Sequence, residues 1–351
     1  MSQCFTAPTD FQFTAEAIEA AATNNRLLTL EIELSLRCNF RCPYCYVPHE
    51  SYFRDELTLV EIEDVIMQAR GLGAGRIIIL GGEPSIDPRL LEVIGFIGRQ
   101  GMETEIFTNG SGVSAELARE LFARRVRVVL KMNSFDADLQ DRLSGKPGAA
   151  RIIQRALENL KAAGYPGQQR FLAVSTVICQ PNLEEIPRLW RWLRDQDIAP
   201  YFEIITPQEN ARHNRWLEVA PQRLKTVFEE LARIDGQQYG RNWDIQPPLV
   251  GNKCLRHKFS CLVTSLGEVR PCVGVTIPLG NIRTRPLAEI IAGSQVLRDL
   301  KNHRRTIKGP CASCEKADHC YGCRGTAFQM TGDYLASDPM CWKVSDQGDC
   351  Q

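Results

Sequence analysis

The sequence has no excess of charge of either sign. Its 351 residues include 42 Lys or Arg and 42 Asp or Glu, so the formal net charge is zero at pH 7. Proteins that bind nucleic acids or anionic membrane surfaces usually show a basic excess, because they must neutralise phosphates. We therefore expect neither nucleic acid nor a membrane among the partners of this chain.

Long apolar runs and an export signal are also missing. A membrane-spanning helix needs about 20 consecutive apolar residues, and no run approaches that length. Residues 1–25 lack the basic segment followed by an apolar segment that marks a signal peptide, so we expect a cytoplasmic protein. Hydrophobic residues make up 44% and charged residues 24% of the chain, which is typical of globular proteins.

Cysteine, in contrast, is abundant, with fourteen residues. In a small secreted protein this number would indicate a disulfide framework, but this chain is large and lacks an export signal. Cytoplasmic cysteines at short, regular spacings are more often ligands of a metal ion or an iron–sulfur cluster. The spacings therefore decide the interpretation.

Short β-branched runs alternate with longer helical patterns between about residues 26 and 236. Six strands are predicted at 27–34, 76–80, 104–108, 126–132, 171–178 and 201–205, and six helices at 58–70, 88–100, after an N-cap at Ser114, 150–163, 183–195 and 221–234. Such repeated units indicate an α/β fold with a parallel sheet. Because eight units close a full barrel, six predict a partial barrel open on one side, with chemistry at the carboxyl ends of the strands. A doubly wound sheet is the alternative that periodicity does not exclude.

The first cysteine group follows the first predicted strand and consists of Cys38, Cys42 and Cys45, with the spacing C-x3-C-x2-C. Three thiolates on one loop can each hold one iron of a four-iron cluster, and the fourth iron then has no protein ligand. A substrate or cosubstrate can bind that open iron. Structural zinc normally takes four protein ligands, so the spacing favours a cluster over zinc.

This motif, with Tyr44 before its last cysteine, resembles the signature of the radical S-adenosylmethionine (SAM) superfamily. The resemblance implies a partial (β/α)6, TIM-like barrel in which the amine and carboxylate of SAM chelate the open iron. It also implies that one electron, from a donor such as flavodoxin or ferredoxin, cleaves SAM to methionine and a 5′-deoxyadenosyl radical. That radical then abstracts hydrogen from the substrate.

Two polar strand ends extend the resemblance. Gly81, Gly82, Glu83 and Pro84 follow the second strand and resemble the family segment that contacts the SAM amino group. Glycines permit close backbone approach, and carbonyl groups with a carboxylate suit an ammonium group. A second polar end, Thr108-Asn109-Gly110, follows the third strand and matches a family position near the ribose, although Asn-Gly is also a common turn.

The fourth strand departs from the family pattern. Many relatives carry Ser-x-Asp-Gly here, whereas this chain has Lys131-Met132-Asn133-Ser134. Strand alternation places Lys131 and Asn133 on one face, and we expect that face to be the barrel interior. Lys131 could pair with the SAM carboxylate, or its amine could extend into solvent at the strand end. We include Lys131, Asn133 and Ser134 among the candidate SAM contacts.

A second cysteine group follows about residue 246, where glycine, proline and short segments replace the βα pattern. Its eight members would satisfy two fully coordinated four-iron clusters, or equally two Cys4 zinc ions. The order of spacings, which includes C-x2-C-x5-C-x2-C, resembles the SPASM domain, although the last pair is one residue closer than in the commonest form. The members are Cys254, Cys261, Cys272, Cys311, Cys314, Cys320, Cys323 and Cys341.

The SPASM resemblance implies how these cysteines divide between two auxiliary clusters. An inner cluster nearer the barrel would use Cys254, Cys261, Cys272 and Cys323, and an outer cluster would use Cys311, Cys314, Cys320 and Cys341. With the SAM-binding cluster this makes three [4Fe-4S] clusters, and full coordination of the auxiliary pair favours electron transfer over substrate binding. Cys179 is expected to be a buried small residue, and Cys4 and Cys350 to be free thiols.

These patterns predict three domains and leave the substrate open. We expect an N-terminal extension at 1–25, a radical SAM partial barrel at 26–245 and a SPASM domain at 246–351. Relatives with this C-terminal domain often modify ribosomal peptides or proteins, so we expect a maturase of the oxidoreductase type. No peptide-recognition domain fits before Cys38, so recognition would come from a separate partner or the barrel mouth. Val273 stands where sulfatase-activating relatives carry Asp, which counts against that activity.

Two other hypotheses come from different classes of protein. The segments 280–283, 323–327 and 331–336 resemble radical enzymes that trim tetrapyrrole side chains in alternative haem pathways. Arg212, His213, Arg215 and Trp216 follow the sixth strand and could line the barrel mouth, where they would suit a carboxylate, or they could form a solvated loop. A non-enzymatic zinc or scaffold protein is the remote alternative.

Overall fold

Nine strands form one open sheet in residues 13–48, 54–167 and 169–345, which are those that the computed structural model describes. The strands are β1 Thr29–Glu33, β2 Arg76–Leu80, β3 Glu103–Thr108, β4 Arg127–Lys131, β5 Leu172–Ile178, β6 Ala199–Ile204, β7 Leu262–Val263, β8 Glu268–Arg270 and β9 Gly280–Asn281. Strands β1 to β6 are parallel neighbours in chain order. A doubly wound sheet reverses its strand order at a switch point, and these six strands do not, so the partial barrel is confirmed.

The described residues form fourteen α-helices, and the apolar faces of those in the βα units pack on the sheet. The helices are α1 Ala15–Thr23, α2 Leu59–Gly71, α3 Leu90–Arg99, α4 Ala115–Ala123, α5 Ala137–Ser144, α6 Ala149–Ala163, α7 Ile186–Asp195, α8 Pro221–Tyr239, α9 Leu287–Gly293, α10 Gln295–Lys301, α11 His303–Thr306, α12 Pro310–Ser313, α13 Arg324–Thr331 and α14 Trp342–Ser345. Their starts follow local capping chemistry. Thr58 and Glu61 form a reciprocal capping box before α2, and Ser114 caps α4 as its sequence predicts.

The main core lies between the sheet and these helices. In β1, Leu30 and Ile32 are fully buried in that core, whereas Thr29 and Glu31 line a cavity on the opposite face. This follows from the period of two along a strand, which sends successive side chains to opposite faces. The inner face of the barrel therefore carries polar side chains beside apolar ones, and it is the face that positions the candidate site.

The C-terminal part of the chain continues the same sheet. Strand β7 pairs with β1 in parallel, with Leu262 opposite Glu31, and β8 and β9 follow in antiparallel order. The sheet thus runs across the domain boundary expected near residue 246, and that boundary remains a prediction. No helix among the described residues has the length and apolar character needed to cross a membrane.

Some elements differ from their predicted bounds. A 3-10 turn over Gln180–Glu185 precedes α7, and α8 continues past residue 234 until Gly240, whose φ of 65° suits glycine in the left-handed region. Helices α1, α5 and α9 to α14 and strands β7 to β9 were not expected. The latter strands have two or three residues each, which is too short for alternation to show in the sequence.

Candidate active site

The three cysteines of the first motif lie on the loop after β1 and open into one cavity. Cys38, Cys42 and Cys45 line this cavity, which has a volume of about 240 Å³. Seven further residues predicted to bind SAM lie in the same lining, and they come from the cysteine loop and the ends of β2, β3 and β4. They are Tyr44, Gly81, Gly82, Glu83, Thr108, Asn109 and Lys131.

The protein places N–H donors around two of these sulfur atoms. The backbone N–H of Phe40 donates to Cys38 Sγ at 3.4 Å, and that of Val47 donates to Cys45 Sγ at 3.4 Å. Asn109 Nδ2 lies 3.7 Å from Cys38 Sγ. These N–H donors favour sulfur in its thiolate form, which is the form that binds iron. Burial has the opposite effect at Cys42, because it raises the pKa of that thiol to about 12.

Contacts from distant parts of the chain fix the shape of this cysteine loop. The backbone N–H of Arg41 donates to the carbonyl of Ser144 at 3.0 Å. Gly145, with φ of 58°, sits so close to Arg41 that a Cβ would lie 2.0 Å from the Arg41 carbonyl oxygen. Asn210 Nδ2 donates to the carbonyls of Cys45 and Val47 at 3.1 and 2.8 Å. The loop is therefore held from both ends.

The turn after β2 packs directly on the start of the cysteine loop. The N–H groups of Gly82 and Glu83 donate to the carbonyls of Ser35 and Arg37 at 2.7 and 2.8 Å. A Cβ would lie 2.1 Å from the Arg37 oxygen if placed on Gly82, and 2.2 Å from the Ser35 oxygen if placed on Gly81. These glycines therefore allow two loops of the protein to approach each other closely. The reason expected from the sequence was close approach of the backbone to a ligand.

Glu83 connects the carboxyl ends of β2 and β3. Its carboxylate accepts hydrogen bonds from Thr108 Oγ1 and from the backbone N–H of Asn109, both at 2.5 Å, and from that of Ser85 at 2.8 Å. Burial raises its pKa above the ordinary range. Because the carboxylate lies beside the cavity, it is available to a cationic group there, as the sequence predicts for an ammonium.

Lys131 ends β4 on the cavity side. Its Nζ lies 3.2 Å from Ser175 Oγ, 3.8 Å from Glu203 Oε1 and 5.2 Å from the centre of the Tyr44 ring. Burial lowers its pKa, and the charge of Glu203 opposes that effect. Its amine therefore points into the barrel interior and not along the strand end into solvent.

The structure does not bring Asn133, Ser134 or Pro84 into the lining of this cavity. The amide of Asn133 donates to Tyr44 Oη at 2.7 Å and accepts from the Val177 backbone at 2.9 Å. Ser134 Oγ donates to Glu185 at 2.5 Å. These side chains are buried and have protein partners, so their geometry suits them to positioning Tyr44 and the β4–α5 connection.

A second, larger cavity of about 710 Å³ adjoins the first. Leu80, Phe107, Glu203, Thr206 and Val273 line both cavities, so the two cavities lie side by side. Three predicted ligands of the inner auxiliary cluster line the larger cavity, namely Cys254, Cys272 and Cys323. The carboxyl ends of the barrel strands thus connect the cysteine loop to the C-terminal cysteines.

The four outer cysteines also lie near one another. Burial raises the pKa of Cys320 to about 11, and charges on Cys311 and Cys314 add to the effect. Burial likewise raises the pKa of Cys341 to about 12, with contributions from Cys311 and Cys320. Within the described residues, no three His, Cys, Asp or Glu side chains meet tightly enough to hold a single metal ion. A four-iron cluster takes its ligands at separate corners, so its thiolates need not meet at one point.

Cys261 is the one predicted ligand that stands apart from its set. It precedes β7, is 1% exposed and lies in the hydrophobic core with Val263. Burial is the main cause that raises the pKa of Cys261. The charged groups that also act on this pKa are Glu31 and Lys301, and no other cysteine is among them. Cys179, expected to be a buried small residue, is 1% exposed after β5. Cys4 and Cys350 lie outside the described residues.

The basic and aromatic residues after β6 lie outside both cavities. Arg212, His213 and Arg215 follow β6 on short 3-10 turns, while Trp216 Nε1 donates to Asn214 at 2.9 Å and its ring lies 4.0 Å from the Arg142 guanidinium. Sequence reasoning missed several polar residues that do line the smaller cavity. Ser175, Glu203, Thr206 and Gln208 come from β5, β6 and the loop that follows. Their position near the carboxyl ends of strands was the available signal.

Comparison with known proteins agrees with this geometry. Residues 32–193 match the family model of the radical SAM superfamily, and residues 254–315 match SPASM, an iron–sulfur cluster-binding domain. The PqqA peptide cyclase of Streptomyces rochei is 32% identical over 337 residues, which are 88% of each chain. The AdoMet-dependent heme synthase of Methanosarcina barkeri is 28% identical over 335 residues, covering 88% of this chain and 94% of that one.

Solved structures share the fold. Streptococcus suis SuiB bound to its precursor peptide SuiA superposes with a TM-score of 0.70 at 16% identity, covering 92% of this chain and 78% of SuiB. AnSMEcpe with bound AdoMet and a peptide gives 0.67 at 16% identity, covering 91% and 95%. The fold and the cysteine loop define an iron–sulfur enzyme that binds SAM on a partial barrel. The chain belongs to the radical SAM superfamily, in the group that carries a C-terminal SPASM domain.

Proposed function

We propose that this enzyme modifies a peptide or protein, acting as a maturase. The observation that carries the proposal is the larger cavity, which shares lining residues with the cavity of the three-thiol loop and reaches three of the SPASM cysteines. Cys38, Cys42 and Cys45 would hold a four-iron cluster, which would supply the electron for reductive cleavage of SAM and so for hydrogen abstraction from the substrate. A substrate in the larger cavity would lie next to that chemistry.

We assign roles to the cavity residues from their charge and position. Glu83 is the acceptor suited to the SAM ammonium group, and Lys131 is the cation suited to its carboxylate. Thr108 and Asn109 hold Glu83 in place and present polar groups where the ribose is expected. The two glycines of the turn after β2 let that turn approach the cysteine loop, which keeps all these groups in one cavity.

The electron path and cluster number belong to the same proposal. We infer three [4Fe-4S] clusters, with the outer one held by Cys311, Cys314, Cys320 and Cys341, which lie near one another at the C-terminus. A flavodoxin or ferredoxin of the cytoplasm would supply the electrons. The domains at 1–25, 26–245 and 246–351 then correspond to an extension, the SAM-cleaving barrel and the auxiliary-cluster unit.

The charges around the larger cavity favour a peptide over a polycarboxylate. Five carboxylates and five Lys or Arg side chains of the described residues line it, so the lining is balanced. Four of the cations are held in ion pairs, among them Lys253 with Asp244 at 3.2 Å and Lys258 with Glu19 at 3.4 Å. Arg76 pairs with Glu103 and Glu105 at 2.9 and 3.6 Å, and Arg256 pairs with Glu31 at 2.5 Å. Neutral peptide groups fit such a lining, whereas a substrate with several carboxylates would have to displace these pairs.

Tetrapyrrole side-chain modification is the second candidate. It is favoured by the AdoMet-dependent heme synthase relatives, of which that of Methanosarcina barkeri covers 88% of this chain. The segments 323–327 and 331–336 belong to α13 and the turn after it, where Arg324 donates to the carbonyls of Tyr334 and Ala336 at 3.1 and 2.6 Å. Those contacts give the motif a structural role, which reduces its weight as evidence for a tetrapyrrole site.

Hydrogen transfer to the SAM fragment tests the choice of substrate. The reconstituted enzyme would be incubated with SAM, a reductant and either the deuterated PqqA peptide and a deuterated ribosomal peptide library, or a deuterated, carboxylated iron porphyrin. With a peptide, we expect deuterium to appear in 5′-deoxyadenosine. With the porphyrin, we expect only unlabelled 5′-deoxyadenosine, whose hydrogen comes from the solvent. Deuterium transfer from the porphyrin alone would contradict the maturase proposal. A Cys38/Cys42/Cys45→Ala variant gives the background for each substrate.

A further inference from the structure

Cys261 faces away from the cavity that holds the other inner cysteines. Its neighbour Ser260 lines that cavity and lies 2.9 Å from Thr29 Oγ1. The Cys261 carbonyl accepts a hydrogen bond from the Glu31 backbone at 3.0 Å, so this segment is an extended strand beside β1. Because side chains alternate between faces, Cys261 lies on the helix-covered face with Val263. A sheet separates its thiol from the expected cluster.

Three thiols therefore remain for the inner cluster. Cys254, Cys272 and Cys323 line one cavity, and each pair is close enough that the charge of one adds to the effect of burial in raising the pKa of another. A four-iron cluster with three thiolates has a fourth iron that needs another donor. The residues around this cavity must supply it, or the iron stays open.

Two histidines line this cavity, and His257 is the buried one, whereas His319 is exposed. His257 is 2% exposed, and it follows Cys254 by three residues at the start of the C-terminal region. Its Nδ1 lies 3.0 Å from Tyr321 Oη, while its Nε2 is buried without a hydrogen-bond partner. A buried imidazole nitrogen without a partner costs free energy, so its retention in a cysteine-lined cavity indicates a ligand there.

The groups around His257 also place its ring near the cysteines of this cavity. Burial raises the pKa of Tyr321, and charges on Cys254 and Cys272 add to the effect, so the phenol that contacts His257 lies beside two of the thiols. Glu31 also has one carboxylate oxygen without a hydrogen bond, but the other is held by Arg256. Iron–sulfur clusters take thiolates and imidazoles, and imidazole nitrogen replaces thiolate in known cluster types.

We propose that the inner auxiliary cluster is bound by Cys254, Cys272, Cys323 and the Nε2 atom of His257, and that Cys261 is not a ligand. This inference rests on the proposed auxiliary clusters, and it changes their character. A Cys3His cluster carries less negative charge than a Cys4 cluster, so it accepts an electron more readily. His257 then makes the inner cluster the more oxidising of the two auxiliary clusters.

Isotope-edited spectroscopy tests this assignment without any assay of catalysis. The full chain with Cys38/Cys42/Cys45→Ala would be reconstituted anaerobically, so that only the auxiliary clusters contribute. The chain contains five histidines, so labelling with 15N-histidine marks few positions. We expect electron–nuclear double resonance of the reduced protein to show a strongly coupled nitrogen that changes with the label. H257C should remove that coupling, retain about eight irons and lower the midpoint potential of the inner cluster.

Two matched variants complete the experiment. C261S should retain about eight irons and the nitrogen coupling, because its thiol lies on the other face of the sheet. H303A removes the second buried histidine, whose ring lies 5.3 Å from the Tyr321 ring, and should also keep the coupling. Absence of a histidine coupling, or loss of about four irons in C261S alone, would overturn the assignment to His257. If the Cys38/Cys42/Cys45→Ala parent protein held no iron before any further substitution, that result would instead contradict the proposed auxiliary clusters themselves.

Discussion

Glu83 and Thr108 join the carboxyl ends of two neighbouring strands through a hydrogen bond of 2.5 Å between Thr108 Oγ1 and Glu83 Oε1. The other carboxylate oxygen accepts from the Asn109 backbone, so both oxygens are bonded to the end of β3. One buried carboxylate thus fixes two strand ends that were separately identified from the sequence. This contact makes the cavity beside the cysteine loop a pre-formed site.

Replacing Glu83 with Gln should weaken SAM binding and leave the clusters in place. The amide removes a charge from the cavity and places an NH2 group against donors from Thr108 and Asn109. A hydrogen bond to a charged group contributes about 1.5–3 kcal/mol, so we expect the Kd for SAM to rise at least about tenfold. Titration calorimetry with SAM measures it. Glu92→Gln, on the exposed face of α3, is the control and should bind SAM normally.

Lys131→Met should also weaken SAM binding, because the substitution removes the charge of the side chain and shortens it by only one atom. We expect a rise in Kd of about tenfold, from the loss of one charge-assisted hydrogen bond. Binding of methionine methyl ester, which has no free carboxylate, should be affected much less than that of methionine. Lys225→Met, at an exposed site on α8, serves as the control. Equal loss for acid and ester would show that Lys131 acts only on packing.

Gly82→Ala should disturb the cysteine loop, since the new Cβ would meet the Arg37 carbonyl at 2.1 Å. Backbone atoms cannot move away without shifting the loop that carries Cys38. We expect iron bound at the first motif to fall by more than half, measured as iron per chain after reconstitution. Gly98→Ala is the matched control, because a Cβ added to Gly98 in α3 would have no other atom within 4 Å. It should bind iron normally and be neutral or slightly more stable.

The contact between Glu61 and Arg283 should make the C-terminal segment acid-sensitive. Arg283 Nε donates to Glu61 Oε1 at 2.6 Å, and this bond, together with hydrogen bonds from Thr58, lowers the pKa of Glu61 from 4.5 to about 2. A carboxyl group with a lowered folded-state pKa stabilises the protein above the unfolded pKa near 4.5 and loses that effect as pH falls toward 2. The pair joins α2 to the turn after β9.

We therefore expect Arg283→Ala to lower the free energy of unfolding by about 0.2–1 kcal/mol at pH 7, with the difference shrinking as the pH approaches 2. Urea unfolding of the cluster-free chain at several pH values measures the effect, since acid dissolves the clusters. Arg215→Ala, which breaks the exposed pair with Glu218, should change stability little at any pH. A constant difference between pH 7 and pH 2 would exclude the Glu61 contact as its cause.

The parts of the fold set by local chemistry could be predicted from the sequence. Strand β2 was predicted at its observed bounds, Arg76–Leu80, because its run is apolar and ends at two glycines. Ser114 was predicted as an N-cap, because serine is favoured at that position. In the structure its side chain accepts a hydrogen bond from the Leu117 backbone, three residues further on. The Cys38 motif and the turn after β2 were predicted to lie together, and they line one cavity.

Features set by distant contacts could not be read in the same way. The pairing of β7 with β1 joins residues more than 200 positions apart, and it decides that Cys261 faces the core. The resemblance to the SPASM domain grouped Cys261 with Cys254, and a pattern of cysteine spacings carries no information about which face of a sheet a side chain lies on. Likewise, Asn133 was expected in the cavity from strand alternation, but β4 ends at Lys131 and the chain turns after it. Alternation stops where the strand stops.

The central claim is that Cys38, Cys42 and Cys45 hold the cluster that cleaves SAM. Iron, sulfide and SAM cleavage would be measured after anaerobic reconstitution of the wild type, a Cys38/Cys42/Cys45→Ala variant and a Cys179→Ala control. We expect about twelve irons in the wild type and the control, and about eight in the triple variant, with SAM cleavage abolished only there. Equal iron content in all three proteins, or SAM cleavage by the triple variant, would contradict the account.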